Sequence, residues 1–353
     1  MRVVEANPFK VWAEFNNHLS PTVGAEQGLL TLAHRNLLGF GDQLSVQYGG
    51  SIGVHPILNV RYAVPVTPRD TTVSVQYRRF ELAVREEPFK ELDIESKSEI
   101  FSLAVRHPLY RRANGEFALT LTGEHARNRS FLLGQPFEFI QGAPDGKFRV
   151  TALRFGQEYS HRLQSQVIAL LSRLSVGIGA LGATANGDST LPDARFFSWL
   201  GEAQWIRLLP FWRTQVVSRG VLQVSNDHLF PLEQLAVGGR YSVRGYREYT
   251  LIRDNAALAS FEARVPVYTT KAGVDAVFLA PFFDIGHGWQ TSAATPTSPP
   301  KTLASVGLGL IWNGFWRDSH FEVYWGKQLR NIETGRDNIQ DHGVHLQLVV
   351  EAF

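Results

Sequence analysis

The sequence predicts an all-β protein, a transmembrane antiparallel β-barrel of about sixteen strands. Three observations carry this. Apolar and polar residues alternate with period two along nearly the whole chain, and helical periodicity is hard to find over any comparable length. No run of about 18 or more uncharged apolar residues exists, so no transmembrane helix is expected, and a spanning chain without helices has the closed barrel as its one alternative. Connections alternate between tight turns and long polar stretches, as the two rims of an outer-membrane barrel do.

The strands follow in chain order. In 43-QLSVQY-48, Leu44, Val46 and Tyr48 oppose Gln43, Ser45 and Gln47. In 72-TVSVQYR-78, Val73, Val75 and Tyr77 oppose Thr72, Ser74, Gln76 and Arg78. In 116-EFALTLTG-123, Phe117, Leu119 and Leu121 oppose Ala118, Thr120 and Thr122. The most apolar run, 166-QVIALLSRLSVGIGALGATA-185, is broken by Arg173 and rich in glycine. In 320-HFEVYWG-326, Phe321, Val323 and Trp325 oppose His320, Glu322 and Tyr324. A soluble sandwich shows the same alternation, but three features favour apolar-to-lipid and polar-to-lumen. The strands are long, often about ten residues against the usual five or six. The polar face carries Arg78, Glu262 and Arg264, which crowd poorly in a dry core. Trp199, Trp205, Trp212, Trp312 and Trp316 sit near presumed strand ends, like an interfacial girdle.

The tight connections fall at prolines: Pro65, Pro108, Pro210 and Pro266. The long ones span 81–94, 127–146, 181–195 and 288–301, and are expected outside the cell. Strands placed between these breaks begin near Phe9 and end at Phe353, a terminal aromatic of the outer-membrane kind, although Val344, Leu346, Leu348 and Val350 alternate out of step with it. No linker divides the chain, so residues 1–353 read as a single barrel domain.

Composition excludes some functions. Lys plus Arg is 35 and Asp plus Glu 33, a balance that argues against a dedicated nucleic-acid binder. With no cysteine there is no disulfide framework and no thiolate metal site. The eleven histidines lack ligand spacing, and no G-x-S-x-G, P-loop or paired-carboxylate arrangement is present. No cofactor, no metal and no enzymatic activity are expected.

One stretch stands out, 238-GGRYSVRGY-246, followed by 258-LASFEARVP-266 and 282-FFDIG-286. Together they resemble the barrel of the two-partner secretion transporters, the TpsB family, whose members are similar to haemolysin secretion/activation proteins. The segment 36-NLLGFGDQLSVQY-48 is similar to the family's early barrel hairpin, and the resemblance covers essentially the whole chain. VRGY with F-x-D-x-G belongs to the wider POTRA–barrel superfamily; the flanking GGRYSVRGYRE and SFEARVP are closer to the secretion branch than to the barrel-assembly insertases. The resemblance implies a translocation pore in the bacterial outer membrane, among its lipid and lipopolysaccharide. Its partner is a large β-rich secreted protein, a TpsA-like exoprotein. An insertase or a passive porin is the alternative. The POTRA domains and plug helix that the resemblance implies have no counterpart here, so the chain reads as part of a longer protein or as a short form.

The resemblance also implies that the sixth outer loop folds back into the lumen. Carried over residue by residue, Val243, Arg244, Gly245 and Tyr246 form the loop anchor, and Arg244 pairs with Asp284. The chemistry fits: a confined guanidinium needs a planar acceptor, Gly245 permits close approach or positive φ, Tyr246 can lie on the wall with its hydroxyl bonded, and Gly286 clears space for the loop. Gly238 and Gly239 are secondary lumen candidates. Glu262 shares a lumen face with Ser260 and Arg264; it serves either the anchor or a plain ion pair with Arg264. Arg240 and Arg247 are expected to be solvated loop charges.

Overall fold

The computed structural model describes residues 7–188, 190–270, 276–291, 301–314, 318–332 and 338–352; Trp316, Phe353 and most of 288–301 lie outside them. Sixteen strands succeed one another: β1 (Phe9–Asn16), β2 (Gln27–Arg35), β3 (Gln43–Gly50), β4 (Val54–Pro65), β5 (Thr72–Ala83), β6 (Glu95–Arg112), β7 (Gly115–Leu132), β8 (Lys147–Arg162), β9 (Gln166–Gly177), β10 (Phe197–Leu208), β11 (Gln215–Ser225), β12 (Asn255–Thr269), β13 (Ala276–Trp289), β14 (Lys301–Asn313), β15 (Asp318–Gln328) and β16 (Val344–Glu351). Each is antiparallel to the next, and β1 pairs with both β2 and β16, so the ring has no free edge. Closure gives every strand two partners, as a backbone in lipid requires. A two-residue strand, Gln135–Pro136, hangs on the outer end of β7.

The alternation maps onto the two faces of this ring. On β5 and β7, Val75 and Leu121 face outward and are exposed, whereas Ser74 is buried. On β15, Glu322 and Tyr324 are buried inside while Trp325 looks out. Outward aromatic side chains such as Phe101, Trp205 and Trp312 are exposed to what would be lipid. Inside, charges cancel along the wall: Arg78 and Arg154 reach Glu124, and Arg106 reaches Glu116 and Glu158.

Two details differ from the sequence expectation. Pro108 and Pro266 lie within β6 and β12, where the register shifts by a bulge before Tyr110 and Tyr268. A proline lacks a ladder donor, and a bulge frees the position that would need one. The long connection placed at 127–146 opens only after Leu132, because β7 continues to that residue.

The sixth outer loop joins β11 to β12. Leu235–Val237 pairs with Leu251–Arg253 as a short antiparallel stem. Between them, residues 238–250 turn into the lumen.

Candidate functional site

Arg244, at the tip of this loop, is only 3% exposed. Its Nε donates to Asp284 Oδ2 at 2.8 Å and its Nη2 to Oδ1 at 2.9 Å, the parallel fork that a carboxylate accepts best. Its backbone N–H also donates to Oδ2, at 3.0 Å, and the Ser260 hydroxyl donates to Oδ1 at 2.6 Å. Asp284 thus receives four donors, about its full capacity. Arg244 Nη1 pairs with Glu262 Oε2, and its guanidinium lies 3.7 Å from the centre of the Phe282 ring. Asp284 and Phe282 come from β13, Glu262 and Ser260 from β12, two adjacent strands whose alternation aims all four inward.

Glu262 contacts both of the partners left open by the sequence, Arg244 and Arg264. Its other oxygen accepts from Arg264 Nε at 2.6 Å. Tyr246 is buried, its hydroxyl 2.7 Å from the Arg330 carbonyl oxygen and 2.9 Å from that of Ala304. Val243 is fully buried with Val237, Leu251 and Leu303. A Cβ on Gly286 would sit 2.7 Å from Val237 Cγ1 and 2.8 Å from Val243 Cγ2, so the stem occupies the space that this glycine leaves. Gly238 and Gly239 both take φ +108°, and a Cβ on Gly239 would strike the Glu248 carboxylate. Burial pushes the Glu248 carboxyl, on the loop and clear of the strands, up to about 7, against the hydrogen bond from the Arg240 N–H and the Arg240 charge.

Arg240 and Arg247 correct the expectation of solvated charges. Arg240 makes its own two-pronged pair with Glu322 of β15, at 2.7 and 2.8 Å, beneath the Tyr324 ring. Arg247 ties Asp341 of the last outer loop to Glu86 of the third. The expectation failed because it treated the loop as lying in bulk water; inside the ring an arginine meets the carboxylates of the wall.

A second attachment was not visible in the sequence. Glu233, on the descending arm of the loop, takes both prongs of Arg154 on β8 at 2.8 and 2.9 Å, and Arg154 also holds Glu124 of β7 at 2.8 Å. Just above, Phe230 stacks on Phe148 with ring centroids 4.5 Å apart, in an apolar cluster with Ile100, Val150 and Leu229. Strands β8 and β15, which hold Glu233 and Arg240, are seven places apart (15 − 8) in a ring of sixteen, so the loop is fastened to nearly opposite walls.

A closed sixteen-stranded antiparallel barrel, apolar outside, polar within and crossed by an inward-folded outer loop, defines the class of outer-membrane β-barrel proteins. The chain belongs to the haemolysin secretion/activation protein family ShlB/FhaC/HecB, whose model matches residues 1–311. The outer membrane transporter CdiB of Escherichia coli O6:K15:H31 (strain 536 / UPEC) is 26% identical over 244 residues, which are 63% of this chain and 40% of that protein. The chain therefore spans about two fifths of the curated relative that it matches. Among solved structures, CdiB from Escherichia coli superposes with a TM-score of 0.81 at 20% identity, over 99% of this chain and 64% of that one. BamA from Haemophilus ducreyi lacking POTRA domains 1–3 superposes with a TM-score of 0.66 at 14% identity, over 98% and 70%. These structural likenesses show the fold. The protein resides in the bacterial outer membrane.

Proposed function

We propose that this barrel is the translocation pore of a two-partner secretion system, through which a large β-rich exoprotein leaves the periplasm as an extended chain. The observation that carries this is the inward loop, held across a polar lumen by Arg244 on Asp284 and Glu262. A passive porin needs a lumen that stays open to water, whereas here a loop fastened by buried ion pairs crosses it. A transporter that opens only for its partner does, because it must stay shut when idle. The wall then offers an extended chain alternating carboxylates, guanidinium groups and hydroxyls once the loop has withdrawn. No nucleotide, metal or catalytic step enters; folding of the exported chain outside the cell supplies the driving force. POTRA domains, where the chain is part of a longer protein, would receive the exoprotein on the periplasmic side.

A tether tests this. Phe148→Cys and Phe230→Cys, whose rings now stack, can be joined by a short bis-maleimide in a chain free of other cysteines. In the full-length protein, the joined pair is expected to stop secretion of the cognate exoprotein, while each single cysteine permits it. Normal secretion through the tethered barrel would mean that the loop does not need to leave.

A further inference from the structure

The outer wall carries a feature unlike the lumen. On the outward face of β6–β8, apolar residues run up toward the outer end: Leu121 on β7, Leu103 on β6, and Leu153 and Phe155 on β8, all exposed. The register sets Phe101, His125 and Thr151 in the next row outward. Immediately beyond them come two rows of cations. Arg127 stands directly opposite Arg149, and Arg129 directly opposite Lys147. All four are exposed. On the other side of β7, Lys97 faces Arg129 and Glu99 faces Arg127.

Like charges placed directly across a ladder oppose pairing. Inside the barrel such arginines are matched with carboxylates, but here none is within ion-pairing distance of the four among the described residues. The nearby acids are engaged elsewhere: Glu81 and Glu95 hold Lys97, Glu81 also holds Arg79, and Glu99 accepts from the Tyr77 hydroxyl. Among the described residues, Arg127 donates only to the His125 ring, at 3.0 Å. Neighbouring strands lie about 4.8 Å apart, and alternate residues along a strand about 6.7 Å apart. Four cations thus crowd a patch the size of one or two phosphate groups. The patch sits toward the outer ends of β6–β8, beyond the apolar rows and at the end that bears the long loops.

We propose that Arg127, Arg129, Lys147 and Arg149 bind the phosphate groups of lipopolysaccharide, the phosphorylated glycolipid of the outer leaflet, whose acyl chains lie on Leu103, Leu121 and Leu153 below. Guanidinium forks suit phosphate oxygens, and a fixed anion removes the repulsion between the facing pairs. This site is separate from the translocation path and does not depend on the export function.

The experiment is a titration of the purified full-length protein, in non-ionic detergent, with fluorescently labelled lipopolysaccharide. Arg127→Gln/Arg149→Gln is expected to weaken binding at least tenfold. Arg127→Lys/Arg149→Lys should weaken it less, and Arg69→Gln, in an inner turn, should not change it. Dephosphorylated lipopolysaccharide should bind wild type and the glutamine variant alike, and weakly. Heat-modifiable migration reports folding; if the double variant does not fold, Lys147→Gln is read in its place, with about a threefold loss expected. The proposal is overturned if the glutamine variants bind like wild type, or if dephosphorylated lipopolysaccharide binds as well as the phosphorylated form. Equal competition by inorganic phosphate or phosphatidylglycerol vesicles would also overturn it, in favour of a general anion surface.

Discussion

Gly245 of the loop tip and Gly326 of β15 meet backbone to backbone. A Cβ on Gly245 would lie 2.7 Å from the Gly326 carbonyl oxygen, and one on Gly326 would lie 2.8 Å from Gly245 Cα. Gly343 closes in from the last outer loop, its carbonyl accepting from the Gly326 N–H at 2.9 Å. Three glycines thus let three segments touch where any side chain would hold them apart. Gly326→Ala should push the tip off the wall while leaving the barrel folded. Val243→Cys, buried in wild type, reports this: its maleimide labelling should rise several-fold in Gly326→Ala. Gly123→Ala, where the new methyl would meet only Leu153 Cδ2 at 3.9 Å, should not raise it.

The clamp around Arg244 is buried: Arg244, Asp284 and Glu262 are all nearly inaccessible. Removing one partner of a buried, hydrogen-bonded ion pair leaves the other charge uncompensated, at a cost on the order of 3–5 kcal/mol. Arg244→Ala should therefore release the tip, leaving Asp284 and Glu262 to draw in water. Asp284→Ala should do the same, and the double variant should be little worse than either single, as for residues that act as a unit. Arg244→Lys should rescue poorly, since a compact ammonium cannot reproduce the planar fork on Asp284 while also reaching Glu262. Secretion by the full-length protein and single-channel conductance both measure this. Wild-type values for Arg244→Ala would remove the clamp from the mechanism.

The clasp on the other wall should act independently. Glu233→Gln keeps the shape but loses the charge, and Arg154 retains Glu124. Alone it should loosen the descending arm and raise labelling at Leu229→Cys, which is fully buried in wild type. Combined with Arg244→Ala its effect should add, because the two sites share no partner. A conductance change no greater than that of Arg244→Ala alone would show that Glu233 fastens nothing.

The outward face should tolerate charge only near its rims. Leu121→Arg, in the middle of the β7 apolar run, should destabilise the barrel by about 2–4 kcal/mol, and Val73→Arg, near the inner end of β5, by much less. Urea unfolding in lipid vesicles gives both values. Equal tolerance at the two positions would mean that the membrane boundary lies elsewhere.

The barrel was legible because its signals are local. Period-two alternation and turn chemistry each need only a few consecutive residues, so the strands and the two faces of the wall could be read directly. The prolines misled at two points because a bulge looks like a turn in sequence but leaves the strand running on. Within the site, VRGY and F-x-D-x-G gave Arg244 and Asp284, which the fold sets side by side. Glu233 and Arg154 left no such trace. The inward phase of Arg154 can be read from alternation in β8, but its partner lies 79 residues away on a loop without periodicity. Arg240 and Arg247 were misjudged for a related reason: only the folded ring shows that the loop lies inside it.

The loop's fastenings also bear on how the ring is assembled. Closing it brings Glu14 to Gln347, 333 residues along the chain, and such a closure is entropically costly and slow. The inward loop divides that distance. It touches Arg154 79 residues behind Glu233, Asp284 40 residues ahead of Arg244, Glu322 82 residues ahead of Arg240, and Asp341 94 residues ahead of Arg247. Each contact gathers a later piece of wall to an axis already tied to an earlier one. The segment that crosses the finished lumen thus ties the last five strands to wall lying earlier in the chain, and these ties subdivide the long span between the first strand and the final one.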